Sequence, residues 1–187
     1  MILSDIQILS AINAGDIVIN PFDRRYLGTN SYDVHLGRHL AVYKNTILDP
    51  KHPNDVDYVE IPDTGLVIYP GEFFLGVTAE YTETRRYVPF IEGKSSIGRL
   101  GLFIHVTAGR GDAGFQNHWT LELAAAHAVR VYAGMPIGQL IYFDTGPVAV
   151  PYDKKRSAKY NAHYTGQEPR PTPSMMWKNF RKDDDNG

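Results

Sequence analysis

Residues 93–101 carry the side chains and backbone groups that bind phosphate. Ser95 and Ser96 each offer a hydroxyl and a backbone amide, and a helical turn beginning there would add the positive end of its dipole. Lys94 and Arg99 supply positive charge, and the glycines of the segment let the backbone approach a ligand closely. The segment therefore predicts a phosphate-binding turn. A capped turn with both cations in solvent is the alternative, because short glycine and serine motifs are common.

A carboxylate follows in an apolar, strand-like run. In Trp119-Thr120-Leu121-Glu122-Leu123, Glu122 shares one strand face with Thr120, while the three apolar side chains point the other way. Burial raises the pKa of a carboxyl group and a nearby arginine lowers it, so the two effects together can let a glutamate accept and return a proton near neutral pH. Glu122 is thus a candidate general base, with a solvent-facing glutamate as the alternative.

Asp112 lies between these two features, in a turn rich in glycine. Aspartate is common in such turns for structural reasons alone. Its carboxylate is also a good acceptor for a sugar 3′-hydroxyl. Together with the serine segment and Glu122, it predicts chemistry on a nucleotide.

The composition predicts one globular domain over residues 1–187. The chain is 43% hydrophobic and 21% charged, which suffices for one substantial core but not for two ordinary domains. A net charge of −2 gives no general attraction to nucleic acid, so small anions fit better than duplexes. There is no cysteine, no leader-like start and no apolar stretch near the roughly 20 residues of a membrane helix. A cytoplasmic enzyme or binding protein is the expectation.

Short strands dominate the predicted secondary structure. One helix is indicated near the start, where Ser4 and Gln7 form a capping box and an apolar stripe of Ile8, Leu9 and Ile12 ends at Gly15. Between residues 32 and 143, short apolar or alternating runs are separated by Gly, Pro, Asn and Asp, which is typical of an all-β sandwich or barrel. The predicted strands are Tyr32 to Leu36, Leu40 to Tyr43, Leu66 to Tyr69, Phe73 to Val77, Leu102 to Val106, Trp119 to Leu123, Val129 to Val131 and Ile137 to Phe143.

The last part of the chain differs in composition. Residues 151–187 contain Pro169, Pro171 and Pro173, which disfavour regular structure, after a cluster of basic residues at 154–159. We predict a mobile basic arm over 151–187 that follows a barrel with its helix over 1–150.

The motifs, taken in order and over most of the chain, resemble those of the dCTP deaminase family. A weaker resemblance extends to the trimeric dUTPases, which share the serine motif. The matching segments are Asn30-Ser31-Tyr32-Asp33-Val34-His35-Leu36-Gly37, Gly93-Lys94-Ser95-Ser96-Ile97-Gly98-Arg99-Leu100-Gly101-Leu102, His105-Val106-Thr107-Ala108-Gly109, Asp112-Ala113-Gly114-Phe115, Thr120-Leu121-Glu122, Tyr132-Ala133-Gly134-Met135-Pro136-Ile137-Gly138-Gln139-Leu140, and, in the arm, Tyr152 and Lys159-Tyr160.

The resemblance implies a distorted β-barrel or jelly-roll subunit of the dUTPase-like type. It further implies a homotrimer with active sites between subunits, and a C-terminal arm that closes over the nucleotide. The implied reaction is hydrolytic deamination of dCTP to dUTP and ammonia, which supplies dUMP and dTTP synthesis. Glu122 is the implied general base, Ser95 would help to hold the water or base, and Arg99 would lie against Glu122 and fix its charge.

Binding roles are implied in the same way. Asp112 would bind the deoxyribose 3′-hydroxyl, and the backbone around Thr107 and Ala108 would contact the pyrimidine. The triphosphate, as its Mg²⁺ complex, would be bound by Lys94, Ser96, Gln139, Tyr152 and Lys159. The other implied contacts are Ile97, Gly98, Thr120, Leu121 and Gln167. Whether dTTP inhibits stays open.

The arm and the loop before Asp112 are among the places where the chain departs from the family pattern. Relatives carry an arm glutamine shortly after the equivalent of Lys159, where this chain has His163, with Gln167 further on. The identity of the phosphate-side residue therefore stays open between these two. Gly111 stands where relatives carry a β-branched residue, which predicts a more flexible loop before Asp112.

Two other functions are compatible with these residues. A bifunctional enzyme would also cleave the triphosphate and release dUMP and pyrophosphate. Gly109 resembles the residue that such bifunctional relatives carry at the same place in this motif. A non-catalytic nucleotide-binding trimer is less favoured, because Glu122, Arg99 and Ser95 occur together. Zinc is not expected, because the zinc-dependent deaminases bind it through cysteines and this chain has none.

Overall fold

Short strands separated by turns form most of the protein. The structure is a computed structural model that describes residues 1–152 and 164–180. Within these ranges the helices are α1 (Asp5–Ala14), α2 (Ser95–Gly98) and two 3₁₀ turns (Arg24–Tyr26 and Met176–Asn179). The strands are β1 (Ile17–Asn20), β2 (Tyr32–His35), β3 (His39–Tyr43), β4 (Val56–Glu60), β5 (Leu66–Ile68), β6 (Phe73–Thr84), β7 (Val88–Gly93), β8 (Leu102–Phe103), β9 (Gln116–Ala125), β10 (Val129–Val131) and β11 (Pro136–Phe143).

The N-terminal helix begins and ends as its sequence predicts. Ser4 Oγ accepts a hydrogen bond from Gln7 N at 3.4 Å, and Gln7 Oε1 accepts one from Ser4 N at 2.9 Å. Gly15 ends α1 in a left-handed conformation with φ of 74°. Ile8 is fully buried, so the predicted apolar stripe faces the core. In the described ranges no helix has the length and apolarity to cross a membrane.

Among residues 1–152 and 164–180, three sheets share one apolar core. The largest has the order β4-β3-β6-β9-β8, with β1 also paired to β6. A second sheet has the order β2-β11-β7, and β5 pairs with β10. Buried side chains from all three sheets and from α1 contact one another, so a single core supports both β9 and β11.

The strand pattern predicted the central strands and missed three others. Each predicted run contains a strand, but β6 extends to Thr84, and β8 ends at Phe103 rather than at Val106. The missed strands are β1, β4 and β7. β4 lies at a sheet edge with mostly exposed side chains, and β7 is an edge strand that contains Pro89. Neither has the apolar alternation that identifies a half-buried strand.

A buried polar pair lies where β6 leaves its regular pairing with β9. The register shifts between Val77 and Tyr81, which is a bulge, and Glu80 lies in it with only 3% of its surface exposed. Its carboxylate accepts hydrogen bonds from His35 N at 2.9 Å and from His35 Nδ1 at 2.5 Å. Glu80 therefore connects the large sheet to the β2-β11-β7 sheet.

Replacing Glu80 by alanine removes the acceptor of both buried hydrogen bonds. Two donors of His35 are then left in the interior, so we expect the free energy of unfolding to fall by about 3 kcal/mol. Urea unfolding at fixed protein concentration measures the change. The control is Glu60→Ala, which removes an exposed contact with Arg38 at 3.3 Å and should cost less than about 1 kcal/mol. Equal losses in the two variants would contradict the assigned role of Glu80.

Candidate active site

The serine segment folds into the helical turn that its sequence predicts. Lys94 O accepts hydrogen bonds from Ile97 N and Gly98 N, both at 2.9 Å, which closes the turn α2. Ser95 and Ser96 are exposed at its start, and the buried Ile97 side chain anchors it to the core. Because Ile97 points inward, only its backbone is available to a ligand.

Lys94 and Gln139 converge on one carboxylate. Lys94 Nζ donates a hydrogen bond to Asp33 Oδ2, and Gln139 Nε2 donates one to Asp33 Oδ1 at 2.9 Å. The contact arises because β11 pairs with β2, which places Gln139 opposite Asp33, and β7 on the other side of β11 leads into Lys94. The two residues expected to bind triphosphate thus lie together.

Asp33 was not among the site residues that the sequence predicted. It is half-buried between Tyr32 and Val34, which are both in the core. A carboxylate in an alternating apolar run is the same signal that identified Glu122, and it applied equally to Asp33. Asp33 orients two donors that an anionic ligand could also use.

Glu122 is held by the loop that follows β8. Its backbone N donates to Ile104 O at 2.8 Å, and its Oε2 accepts a hydrogen bond from Val106 N at 2.8 Å. The carboxylate is half-buried. Within the described part of the chain Oε1 accepts no hydrogen bond, so one oxygen is fixed and the other is available to a water or a substrate.

The contact between Arg99 and Glu122 stays a prediction. Arg99 is exposed, and among the described residues no carboxylate lies within ion-pair distance of it. Over the described ranges, no hydrogen bond joins the serine turn to Glu122 either. The serines of the turn are exposed, and Glu122 is half-buried.

Four predicted binding residues line one cavity. Ala108, Asp112, Thr120 and Tyr152 surround a cavity of about 290 Å³. The Asp112 side chain is exposed, and the turn is closed by the bond from Phe115 N to Asp112 O at 3.0 Å. Thr107 is exposed in the loop beside this cavity.

Close packing accounts for Leu121 and for the two glycines near this cavity. The Leu121 side chain is fully buried, so it can contact a ligand only through its backbone. A Cβ at Gly109 would lie 2.6 Å from Ile91 O, so the strand β7 approaches too closely for any side chain. Contrary to the expected loosening of the loop, Gly111 is buried, and its N donates to Pro89 O at 2.8 Å.

The described part of the arm lies across the large sheet of its own chain. Thr172 N donates to Thr120 Oγ1 at 3.1 Å, and Ser174 N donates to Tyr43 OH at 2.9 Å. Glu168 lies 3.6 Å from Arg38 Nε. Gln167 lines a cavity of about 620 Å³ next to the cavity of Asp112. Lys159 and His163 lie outside the described residues.

His118 is a cavity residue that the sequence did not reveal. It shares the β9 face of Thr120 and Glu122 and lines both cavities. Its Nδ1 lies 3.1 Å from Thr78 O, and since a carbonyl only accepts, Nδ1 carries the proton. Burial lowers the pKa of His118, an effect that the Thr78 carbonyl partly opposes. The imidazole is therefore neutral at pH 7.

Metal binding would require several carboxylate or imidazole side chains close together. Over residues 1–152 and 164–180, no three His, Cys, Asp or Glu side chains are grouped so that they could hold a metal ion. The polar groups that are grouped are donors around Asp33 and an acceptor at Glu122. These are suited to an anionic ligand and to a proton transfer, respectively.

The fold is mainly β and is similar to that of a solved structure. The crystal structure of 2′-deoxycytidine 5′-triphosphate deaminase from Agrobacterium tumefaciens matches with a TM-score of 0.61 and 18% sequence identity. The match covers 75% of this chain and 46% of that chain. At this identity the likeness concerns the fold alone, and it confirms the fold class predicted from the sequence.

The sequence comparisons are more specific. A family model described as dCTP deaminase-like matches residues 2–145. The "dCTP deaminase, dUMP-forming" of Clostridium beijerinckii is 46% identical over 182 residues, which are 97% of this chain and 100% of the relative. The protein of the same name from Cytophaga hutchinsonii is also 46% identical over 182 residues. The chain belongs to the dCTP deaminase-like family, which confirms the family and the class of enzyme predicted from the motifs.

The contact of the arm with Thr120 can be removed without changing a side chain of the sheet. Thr172→Pro eliminates the donating amide, so we expect faster hydrogen exchange over residues 164–180, measured by mass spectrometry. Thr172→Ala keeps the amide and should exchange at the wild-type rate. Equal exchange in the two variants would show that this hydrogen bond does not fix the arm.

His118 should make stability depend on pH. Because its pKa is lowered in the folded state, the unfolded chain binds the proton first, and the free energy of unfolding falls as pH drops below about 6.5. His118→Gln should reduce the difference in urea stability between pH 7.5 and pH 5.5. His52→Gln, at an exposed histidine, is the control and should leave the difference unchanged. A full wild-type pH dependence in His118→Gln would disprove the assignment.

Proposed function

We propose that this protein hydrolyses dCTP to dUMP, ammonia and pyrophosphate. The observation that carries the proposal is the Glu122 carboxylate, fixed by Val106 N at 2.8 Å on a cavity-facing strand in a chain of this family. The relatives named "dCTP deaminase, dUMP-forming" favour dUMP over the dUTP implied by the motifs alone. Two water molecules are consumed, one at the cytosine ring and one at the triphosphate.

Deamination uses the free oxygen of Glu122. Oε1 takes a proton from water, the resulting hydroxide adds to C4 of the cytosine, and the carboxyl group passes that proton to ring N3. The carboxylate then transfers the proton of the new C4 hydroxyl to the amino group, the C4–N bond breaks, and ammonia leaves as the C4 carbonyl forms. The bond from Val106 N keeps the carboxylate in one orientation. Ser95 and Arg99 complete this part of the site, Ser95 on the water or base and Arg99 on the carboxylate.

The triphosphate binds at the serine turn. Ser95 and Ser96 are exposed there, and Lys94 and Gln139 are held beside it by Asp33. A phosphate oxygen can replace Asp33 as the partner of Lys94, because both are anionic acceptors. Magnesium enters with the nucleotide as its triphosphate complex, and zinc has no role in the proposed mechanism.

The sugar and base bind in the cavity of about 290 Å³. Asp112 accepts a hydrogen bond from the 3′-hydroxyl, and the backbone of residues 107, 108 and 121 contacts the pyrimidine. Thr120 and Tyr152 line the same cavity. Lys159 and Gln167 bind phosphate from the arm.

The active unit is a homotrimer with sites between subunits. Two features support this proposal: no contact joins Arg99 to Glu122 within the described residues, and large apolar side chains are exposed around both groups. Leu100 is 53% exposed, Phe103 55% and Val106 63%. A second copy that covers this surface would bury them and bring an arginine to the carboxylate. We place the enzyme in the cytoplasm.

Glu122→Gln should abolish deamination and keep nucleotide binding. The amide cannot act as a base, so we expect kcat for ammonia release to fall by about 10²- to 10⁴-fold with little change in the dissociation constant of dCTP. An ammonia assay and calorimetric titration measure the two quantities. Glu92→Gln, at an exposed strand glutamate, is the control. Unchanged ammonia release in Glu122→Gln would exclude Glu122 as the base.

The same assay identifies the products. Wild-type protein with dCTP and Mg²⁺ should give dUMP and pyrophosphate, separated by ion-exchange chromatography, and added zinc should not raise the rate. Release of dUTP alone would restrict the activity to deamination. Binding of dCTP without turnover would instead support the nucleotide-binding trimer.

A further inference from the structure

A tryptophan occupies the space that Gly111 leaves open. A Cβ placed on Gly111 would lie 2.8 Å from Trp119 Cη2 and 2.9 Å from Pro89 Cγ, which is too close for any real side chain. Gly111 does not have a positive φ. The position therefore requires glycine for space and not for an unusual backbone conformation.

The tryptophan is fixed in this place by two threonines of β6. Trp119 Nε1 donates to Thr82 Oγ1 at 3.0 Å, and Trp119 N donates to Thr78 Oγ1 at 2.9 Å. The ring is 6% exposed and lies 4.6 Å from the ring of Phe115, measured between centroids. The two hydrogen bonds and the contact with Phe115 oppose a shift of Trp119 if a side chain appears at Gly111.

The same contacts determine where Asp112 lies. Gly111 N is bonded to Pro89 O at 2.8 Å, and Asp112 O accepts from Phe115 N at 3.0 Å. Asp112 is thus held between β7 and Phe115, whose ring packs against Trp119 at a tilt of 38°. A shift of Gly111 away from the tryptophan would also move the neighbouring Asp112. Its carboxylate would then take a different position in the cavity that Gly111 and Asp112 line.

We propose that Gly111 and Trp119 are a complementary pair of positioning residues that sets the Asp112 carboxylate at the 3′-hydroxyl of the sugar. The proposal rests on the proposed function, in which Asp112 accepts that hydroxyl. Neither residue of the pair needs to touch the nucleotide in this role. The pair acts on recognition of the sugar and leaves the chemistry at Glu122 unchanged.

The test compares dCTP with 2′,3′-dideoxycytidine triphosphate, which lacks the 3′-hydroxyl. The preference, taken as the ratio of the two kcat/KM values, should fall about tenfold or more in Asp112→Ala, as expected for a lost hydrogen bond to a charged group. Gly111→Ala should reduce the preference in the same direction through KM for dCTP, with kcat near the wild-type value. Gly146→Ala is the control, because its Cβ would meet nothing within 4 Å.

The double variant Gly111→Ala with Trp119→Phe provides the decisive comparison. Phenylalanine lacks the outer ring atoms that the new Cβ would meet, so the preference should recover in part. The contact with Pro89 Cγ at 2.9 Å remains and limits the recovery. A wild-type ratio in Gly111→Ala, or no recovery in the double variant, overturns the pairing. An unchanged ratio in Asp112→Ala overturns the positioning role. Ammonia release by the wild type reports separately on the proposed function.

Discussion

The alternation of side chains along β9 is the constraint on which the site depends. Trp119 and Leu121 are buried, whereas His118 and Thr120 face the cavities and Glu122 faces the loop after β8. Because the period is two residues, a register slip by one would bury the carboxylate and expose the core. The apolar side chains of β9 therefore determine where the carboxylate lies, although they take no part in its chemistry.

The bulge in β6 joins β9 to other parts of the core through hydrogen bonds. It lies opposite β9 and contains Thr78 and Glu80, which contact Trp119 N and His35 respectively. Buried polar groups of this kind are stable only when they are paired. The bulge thus provides partners for polar atoms of two sheets at once, and it also fixes the tryptophan that borders the Asp112 turn.

The groups proposed to bind the triphosphate and the carboxylate proposed as the base belong to different sheets. Lys94 and Gln139 meet at Asp33 on the edge of the β2-β11-β7 sheet, whereas Glu122 lies on the large sheet. Exposed apolar side chains, among them Phe103, adjoin both regions. This separation supports the proposal that a second copy of the chain completes the site.

The sequence by itself determined the residue types, the N-terminal helix, the central strands and the serine turn, because capping, period-two alternation and turn composition act over a few neighbouring residues. It also determined the family through ordered motifs. Only the tertiary structure decided that Gln139 meets Asp33, that Val106 fixes Glu122 and that Trp119 fills the space beside Gly111. These contacts depend on strand order and register, which no local pattern specifies.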